Sequence, residues 1–267
     1  MKLNNVFNID CIEGMKQLDD SSIDLIVADP PYNLSSGNNI HCEGNSVISG
    51  MGGKWDKVLE DWDNYTIDEY LIFTFNWLRE AKRVLKETGS MWIFGTYHNI
   101  GIINFVCQML GLEIINEVIW YKNNSFPNLA GRRLTASHET ILWVHNSPKK
   151  RKYKFNYELS KNGDYGYDFL KLEGKQMRTV WGISNNKNKW ELKFGKHPTQ
   201  KPYRLIKRIV ELTTDENDIV LVPFCGSGTE CLTAKKLKRS FISFEINKEY
   251  IELAEQRIDD KDLDTYE

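Results

Sequence analysis

The sequence predicts an α/β domain with a mostly parallel central sheet and helices on both faces, and three observations carry that reading. Short apolar runs such as Ile23–Ala28 (IDLIVA) end abruptly at an acid and prolines, as strands buried on both faces do. Segments with apolar residues at helical spacing lie between these runs. In the last third, strand, paired glycines, helix, second strand and acid follow in the order of a nucleotide-binding half-sheet.

After Ile23–Ala28, residues 33–64 are rich in Gly, Asn and Ser and read as loop. Residues 67–85 place Tyr70, Leu71, Phe73, Trp77, Leu78 and Ala81 along one side of a helix, before a stop at Gly89. A strand is expected over 90–94, a helix over 98–110 closed by Gly111, and strands over 112–120 and 140–145. From 148 to 195 periodicity fades, and that stretch reads as an embellishment of the sheet. Ile219–Val222 is expected as strand, 223–228 as a tight loop, 229–237 as helix, Ser240–Glu245 as strand and 248–257 as helix. The acidic end, DDKDLDTYE, is expected to fray. One catalytic domain over 1–267 follows from this organisation.

The formal charge of the 267 residues is -2, but it is unevenly spread. Between Trp120 and Val210 there are 20 Lys+Arg against 6 Asp+Glu, a formal +14, which leaves -16 for the remainder. Such asymmetry suits a surface that meets a polyanion, although a solvated, Lys-rich insertion would show it too. The basic region, about 120–195, is expected to recognise the target. Five cysteines (Cys11, Cys42, Cys107, Cys225, Cys231) form no CxxC pair, so neither a zinc site nor a disulfide framework is expected. The opening residues lack the apolar run of a secretory leader and no stretch approaches membrane-spanning length, so a cytoplasmic protein is expected.

In PFCGSGTE, Gly226 and Gly228 follow a strand and open a helix, where glycine lets backbone approach a ligand. Glu245 ends the next strand, 19 residues beyond Gly226, and can accept hydrogen bonds from ribose hydroxyls. That order points to an adenosine-type cofactor. The third glycine of the pyrophosphate fingerprint is missing and no GK[ST] follows, which disfavours NAD and a Walker loop. S-adenosylmethionine has no pyrophosphate and fits better.

Asp29-Pro30-Pro31-Tyr32 directly follows the first buried strand, where ligands of open α/β sheets bind. An exocyclic base amine is a poor nucleophile because its lone pair is delocalised into the ring. Two acceptors for its protons, Asp29 Oδ and the Pro30 carbonyl, would let the nitrogen become tetrahedral. Consecutive prolines hold the carbonyl direction, and Tyr32 offers a flat surface for an extracted base. Alone, the tetrapeptide could equally be a rigid turn with an Asp cap.

These blocks together resemble the amino-methylating DNA methyltransferases of the permuted, beta group. The catalytic tetrapeptide comes first, the basic middle second, and then His197-Pro198-Thr199-Gln200-Lys201-Pro202, Val222–Thr229 and Phe241–Asn247. The resemblance covers about residues 8–258. It implies a circularly permuted, Rossmann-like S-adenosylmethionine-dependent methyltransferase fold. The implied activity is site-specific adenine-N6 methylation of flipped bases in double-stranded DNA, of the restriction-modification type. S-adenosylhomocysteine would be the product, and no metal would be needed.

By this resemblance, Asp29, Pro30, Pro31 and Tyr32 are catalytic. Phe224, Gly226, Ser227, Gly228, Thr229 and Glu245 bind the cofactor, Asp10 lies near its adenine, and Lys201 with Thr199 lies beside its carboxylate. Segment 33–64 would be a mobile loop over the active site. Two features stand apart. Val222 occupies a place where the family usually has Asp, which removes a carboxylate from beside the cofactor site and either weakens binding or leaves its role to water or another acid. His138-Glu139 is expected to position sheet and loop.

Arg132, Arg133, Lys149, Lys150, Arg151 and Lys152 are candidate phosphate contacts, and Trp181, Asn185, Asn186, Lys187 and Lys189 candidate base readers. The resemblance also implies a prokaryotic setting, with a companion restriction endonuclease and a homodimer as expected partners. Cytosine-N4 methylation, which poses the same geometric problem, is the nearest alternative. A non-catalytic DNA-binding subunit would be expected to show a broken tetrapeptide or glycine loop, and both are intact.

Replacing Lys149, Lys150, Arg151 and Lys152 together is expected to lower the slope of log DNA affinity against log salt by up to about 3.5, if all four meet duplex phosphates. Equilibrium binding across a salt series measures this, and an unchanged slope would make the run a solvated loop.

Overall fold

The computed structural model describes residues 1–32, 65–125, 132–146 and 152–266. Segment 33–64, expected as the loop over the active site, lies outside the described residues, as do Lys149, Lys150 and Arg151. The strands are β1 (Asn5–Asn8), β2 (Ile23–Ala28), β3 (Leu85–Gly95), β4 (Glu113–Tyr121), β5 (His138–His145), β6 (Val180–Gly182), β7 (Ile219–Val222) and β8 (Ser240–Glu245). The helices are α1 (Cys11–Met15), α2 (Ile67–Val84), α3 (Ile100–Met109), α4 (Tyr157–Asn162), α5 (Tyr203–Thr213), α6 (Thr229–Lys236) and α7 (Lys248–Ile258).

One sheet joins all eight strands in the order β1-β8-β7-β2-β3-β5-β4-β6. Only β5 runs against its neighbours, pairing antiparallel with both β3 and β4. The strands alternate their side chains between two apolar layers. Leu25, Val27, Trp92 and Phe94 face α5, α6 and α7, while Ile26, Ala28, Met91 and Ile93 face α1, α2 and α3. Every residue of β2 is buried, which explains its unbroken apolar run.

Local signals set the helix ends. Thr66 and Glu69 form a reciprocal capping box at α2, and Gly111 closes the turn after α3 at φ 69°. The described part of the stretch 148–195, residues 152–195, extends the sheet. Its β6 lies parallel to β4, and Trp181 and Ile183 enter the core, so Trp181, packed on Trp92 and 2% exposed, is a core residue and not the base reader expected. Asp168 fixes that stretch. Its Oδ1 accepts the Gly182 and Leu170 N–H groups, and its Oδ2 meets Arg208 of α5 at 2.6 Å. The Arg208 guanidinium lies within 4.6 to 5.3 Å of the ring centres of Tyr165, Trp181 and Tyr167.

Three elements outside the stretch 148–195, β1, α1 and α5, and two within it, α4 and β6, go beyond the sequence reading, and the expected fraying of the acidic end is overturned. Leu263 is buried and Tyr266 stacks on Trp190 with ring centres 5.0 Å apart. Lys193 bonds Asp260, Asp262 and Tyr266, so one cation gathers the acids that would otherwise repel. Among the described residues, no helix is long and apolar enough to cross a membrane.

Asp168→Ala leaves the buried Arg208 without a counter-ion and frees the buried N–H of Gly182 and the partly buried N–H of Leu170. A loss of about 3–5 kcal/mol in unfolding free energy is expected, measured by urea denaturation. A loss below about 1 kcal/mol, within the range of an exposed pair, would show the pair to be dispensable.

Candidate active site

The carboxyl ends of β2 and β7, which pair parallel through Leu25 with Val220 and Ile26 with Leu221, deliver Asp29–Tyr32 and the glycine loop to one edge of the sheet. Between them opens a cleft of about 1030 Å³, part of it continuous with solvent. All four residues of the tetrapeptide line it, as do Asp10, Thr199, Lys201, Phe224, Gly226, Ser227 and Glu245. These residues come from both ends of the chain, and the fold brings them together.

The tetrapeptide is clamped from behind. The Pro31 carbonyl accepts from Tyr70 Oη at 2.8 Å and Asn99 Nδ2 at 3.3 Å. Asp29 holds a buried charge cluster. Tyr32 donates to its Oδ1 at 2.6 Å, and Lys201 Nζ lies 2.5 Å from its Oδ2. Lys201 also reaches Tyr32 Oη at 2.9 Å, and Glu139 Oε2 lies 3.7 Å from it. Lys122 closes the set at 2.9 Å from Glu139.

Two carboxylates and two ammonium groups balance within this cluster. Burial pushes the Asp29 carboxyl upward, against the pull of Lys201, and the net direction is up. Glu139 is also pushed up by burial, but Lys201 and Lys122 outweigh that and hold it below the usual range. Burial alone would lower Lys201; Asp29 and Glu139 more than offset it and keep the ammonium charged. Glu139, expected to position sheet and loop, joins the charge cluster around Asp29 through Tyr32, Lys122 and Lys201. The signal was present as an acid at the head of a buried strand, where its partners cannot be read from sequence.

The cofactor loop is equally fixed. Gly226 adopts φ 48°, and its N–H donates to Glu245 Oε2 at 2.8 Å. Glu245 Oε1 accepts the N–H groups of Ile246 and Asn247. Phe224 packs against Phe73 and Trp77. Asp10 lines the cleft and caps α1 through the N–H groups of Ile12 and Glu13. Gly228 and Thr229 stand outside the lining. A Cβ at Gly228, φ 72°, would fall 2.8 Å from the Ala254 Cβ, so that glycine serves the approach of α6 to α7. The Thr229 hydroxyl faces Ser227 and Arg257.

The profile of the DNA methylase family, covering N6 and N4 types, matches residues 23–256. The chain belongs to this family. The methylase is 39% identical over 252 residues to Type II methyltransferase M2.DpnII of Streptococcus pneumoniae, covering 94% of this chain and 87% of that one. It is 40% identical over 260 residues to Type II methyltransferase M.HinfI of Haemophilus influenzae, covering 96% and 68% respectively. Among solved structures, the complex of M1.HpyAVI with SAM superposes at a TM-score of 0.66 with 26% identity, over 96% of this chain and 98% of that one. The cytosine-N4-specific PvuII DNA methyltransferase, 18% identical, shares the fold at a TM-score of 0.71, over 98% and 88%.

The candidate DNA contacts are less concentrated. Arg132, Arg133 and Lys152 are exposed, with Arg133 3.2 Å from Tyr97 Oη. Asn185 and Asn186 are tied to Asn124, and Lys189 is exposed. Lys187 is half-buried beside Lys201, and burial lowers it to about 8.

Lys201→Met removes the cation that pulls the Asp29 carboxyl down against burial. The acid limb of the single-turnover methylation profile is expected to move up by about 1–3 pH units, read between pH 5 and 9 at saturating DNA and cofactor. A stationary limb would show that Lys201 does not set the Asp29 charge.

Proposed function

We propose that this methylase transfers a methyl group from S-adenosylmethionine to N6 of adenine extracted from double-stranded DNA. The observation that carries this reading is Asp29, a partly buried carboxylate that lines a cofactor-sized cleft and is fixed there by Tyr32 and Lys201. The residues present suit the cofactor. Glu245, Gly226, Ser227, Phe224 and Asp10 would hold its nucleoside portion, and Lys201 with Thr199 would stand toward the methionyl end. When bound, the cofactor supplies an electrophilic methyl group on a sulfonium.

The chain's own residues do the remaining work. Asp29 accepts one proton of the target amine in a hydrogen bond, and the Pro30 carbonyl is suited to the second. The bond to Asp29 strengthens as the nitrogen gains positive character, so it acts mainly on the transition state. Each carboxylate oxygen has two acceptor sites, so Asp29 can serve the amine while Tyr32 and Lys201 keep its direction. The apolar rings of Phe73 and Phe224 line the cleft and would limit water around the bound nucleoside. The leading Asp of the tetrapeptide favours adenine over cytosine.

Residues 120–195, with a surplus of Lys and Arg, are the proposed target-recognition region of a single 1–267 domain. The names of the relatives, Type II methyltransferases, support a role beside a companion restriction endonuclease in a prokaryotic cytoplasm. A homodimer remains part of the proposal and is tested by light scattering.

Incubation with mixed-sequence DNA and methyl-labelled cofactor, followed by nucleoside analysis, is expected to give N6-methyladenine. N4-methylcytosine would replace the adenine reading, and no product would remove the enzyme reading. Asp29→Asn replaces one acceptor oxygen with a donor and is expected to slow single-turnover methylation about 100- to 1000-fold. A rate within about threefold of the parent, under 1 kcal/mol of barrier, would leave the tetrapeptide as a structural turn.

A further inference from the structure

Four carboxylates line the cleft, namely Asp10, Asp29, Glu230 and Glu245, and three of them are committed. Asp10 caps α1, Asp29 is held by Tyr32 and Lys201, and Glu245 accepts three backbone N–H groups. Glu230, in the first turn of α6, is 5% exposed. Among the described residues, its side chain has no ion pair and no hydrogen bond from another residue. A carboxylate placed so deeply without a cation is costly, and such groups ordinarily take up a proton or a counter-ion. Burial raises Glu230 to about 7, helped by the nearby Asp29 charge and opposed by its own backbone N–H, Lys201 and Arg257.

The cleft therefore carries one uncompensated acid in its wall, at the end marked by Asp29 and Lys201. The opposite, nucleoside end is marked by Glu245 and Asp10. S-adenosylmethionine offers two cations. The sulfonium has no N–H to donate, and its methyl group must face the amine held by Asp29. The α-ammonium is compact, strongly hydrated, and needs acceptors when it leaves water. Val222, which supplies no carboxylate, lies buried in the core and outside the cleft lining.

We infer that Glu230 is the ionic partner of the cofactor's α-ammonium group, a binding residue that anchors the methionyl end. The assignment rests on the cofactor reading given above. Ligand charge then completes the balance that the apo cleft lacks, and association favours the ionised form of Glu230. Asp29 from the end of β2, Lys201 from the segment before α5 and Arg257 from α7 are the charged groups around it. Arg257 Nη1 donates to the Ser227 carbonyl and stands 3.1 Å from the Thr229 hydroxyl.

The test uses S-adenosylhomocysteine and its analogue lacking the α-amino group, titrated calorimetrically into the whole protein. The parent is expected to bind the analogue about tenfold to hundredfold more weakly than the amine-bearing ligand. In Glu230→Gln that preference should collapse to within about threefold, beneath the effect of one charge-assisted bond. A preference kept in full by the variant would overturn the assignment. Failure of the parent to bind S-adenosylhomocysteine at all would instead overturn the cofactor reading. A second measurement needs no variant. At a pH just below 7, where free Glu230 is partly protonated, binding of S-adenosylhomocysteine to the parent should release protons. Titrations in buffers of different ionisation enthalpy detect this. Release that is equal for the analogue would also overturn the assignment.

Discussion

The parallel pairing of β2 with β7 is the constraint on which the site depends. These strands are separated by almost the whole chain, yet they lie at the centre of the sheet and end at the same edge. Burial on both faces leaves them little freedom to slip, because a shift of one residue would turn each side chain into the wrong apolar layer. Asp29 at the end of one strand and Gly226 beyond the other therefore meet across the cleft. The order of the blocks along the chain matters less than this adjacency.

The electrostatics follow from the same placement. Charges buried at a strand edge must be compensated nearby, and Lys201, Lys122, Glu139 and Asp29 compensate one another. Lys201 supports this arrangement from the segment that leads into α5, and the glycine loop supports it from the opposite wall. Glu230 adds an acid that this set does not neutralise. The cleft is thus complementary to a ligand with positive charge, in addition to being shaped for a nucleoside.

Much of this was legible in the sequence. The runs at Ile23–Ala28, Ile219–Val222 and Ser240–Glu245 appear as strands with the bounds expected, because apolar runs with abrupt polar ends leave little choice. The tetrapeptide and Gly226 reached the cleft because strand ends determine where loops go. β1 was missed because four residues, NVFN, show no usable period. α5 was legible and went unread: Leu205, Ile206, Ile209, Val210 and Leu212 recur at helical spacing, with Arg208 at the margin of that face. Glu139 and Glu230 were passed over as site residues for a different reason. Their significance comes from partners, or their absence, in three dimensions, and local sequence does not record either.

The Asp168–Arg208 pair links the basic middle of the chain to the helix that follows Lys201 and Pro202. One partner lies within the stretch proposed to choose the DNA target, and the other lies in the common scaffold. Specificity therefore cannot drift freely by exchange of the middle segment alone. A segment inherited from another methylase without an acid at this place would leave a buried guanidinium in the recipient without its counter-ion. A chimera that exchanges the middle segment must therefore keep an acid opposite Arg208 or replace the guanidinium as well.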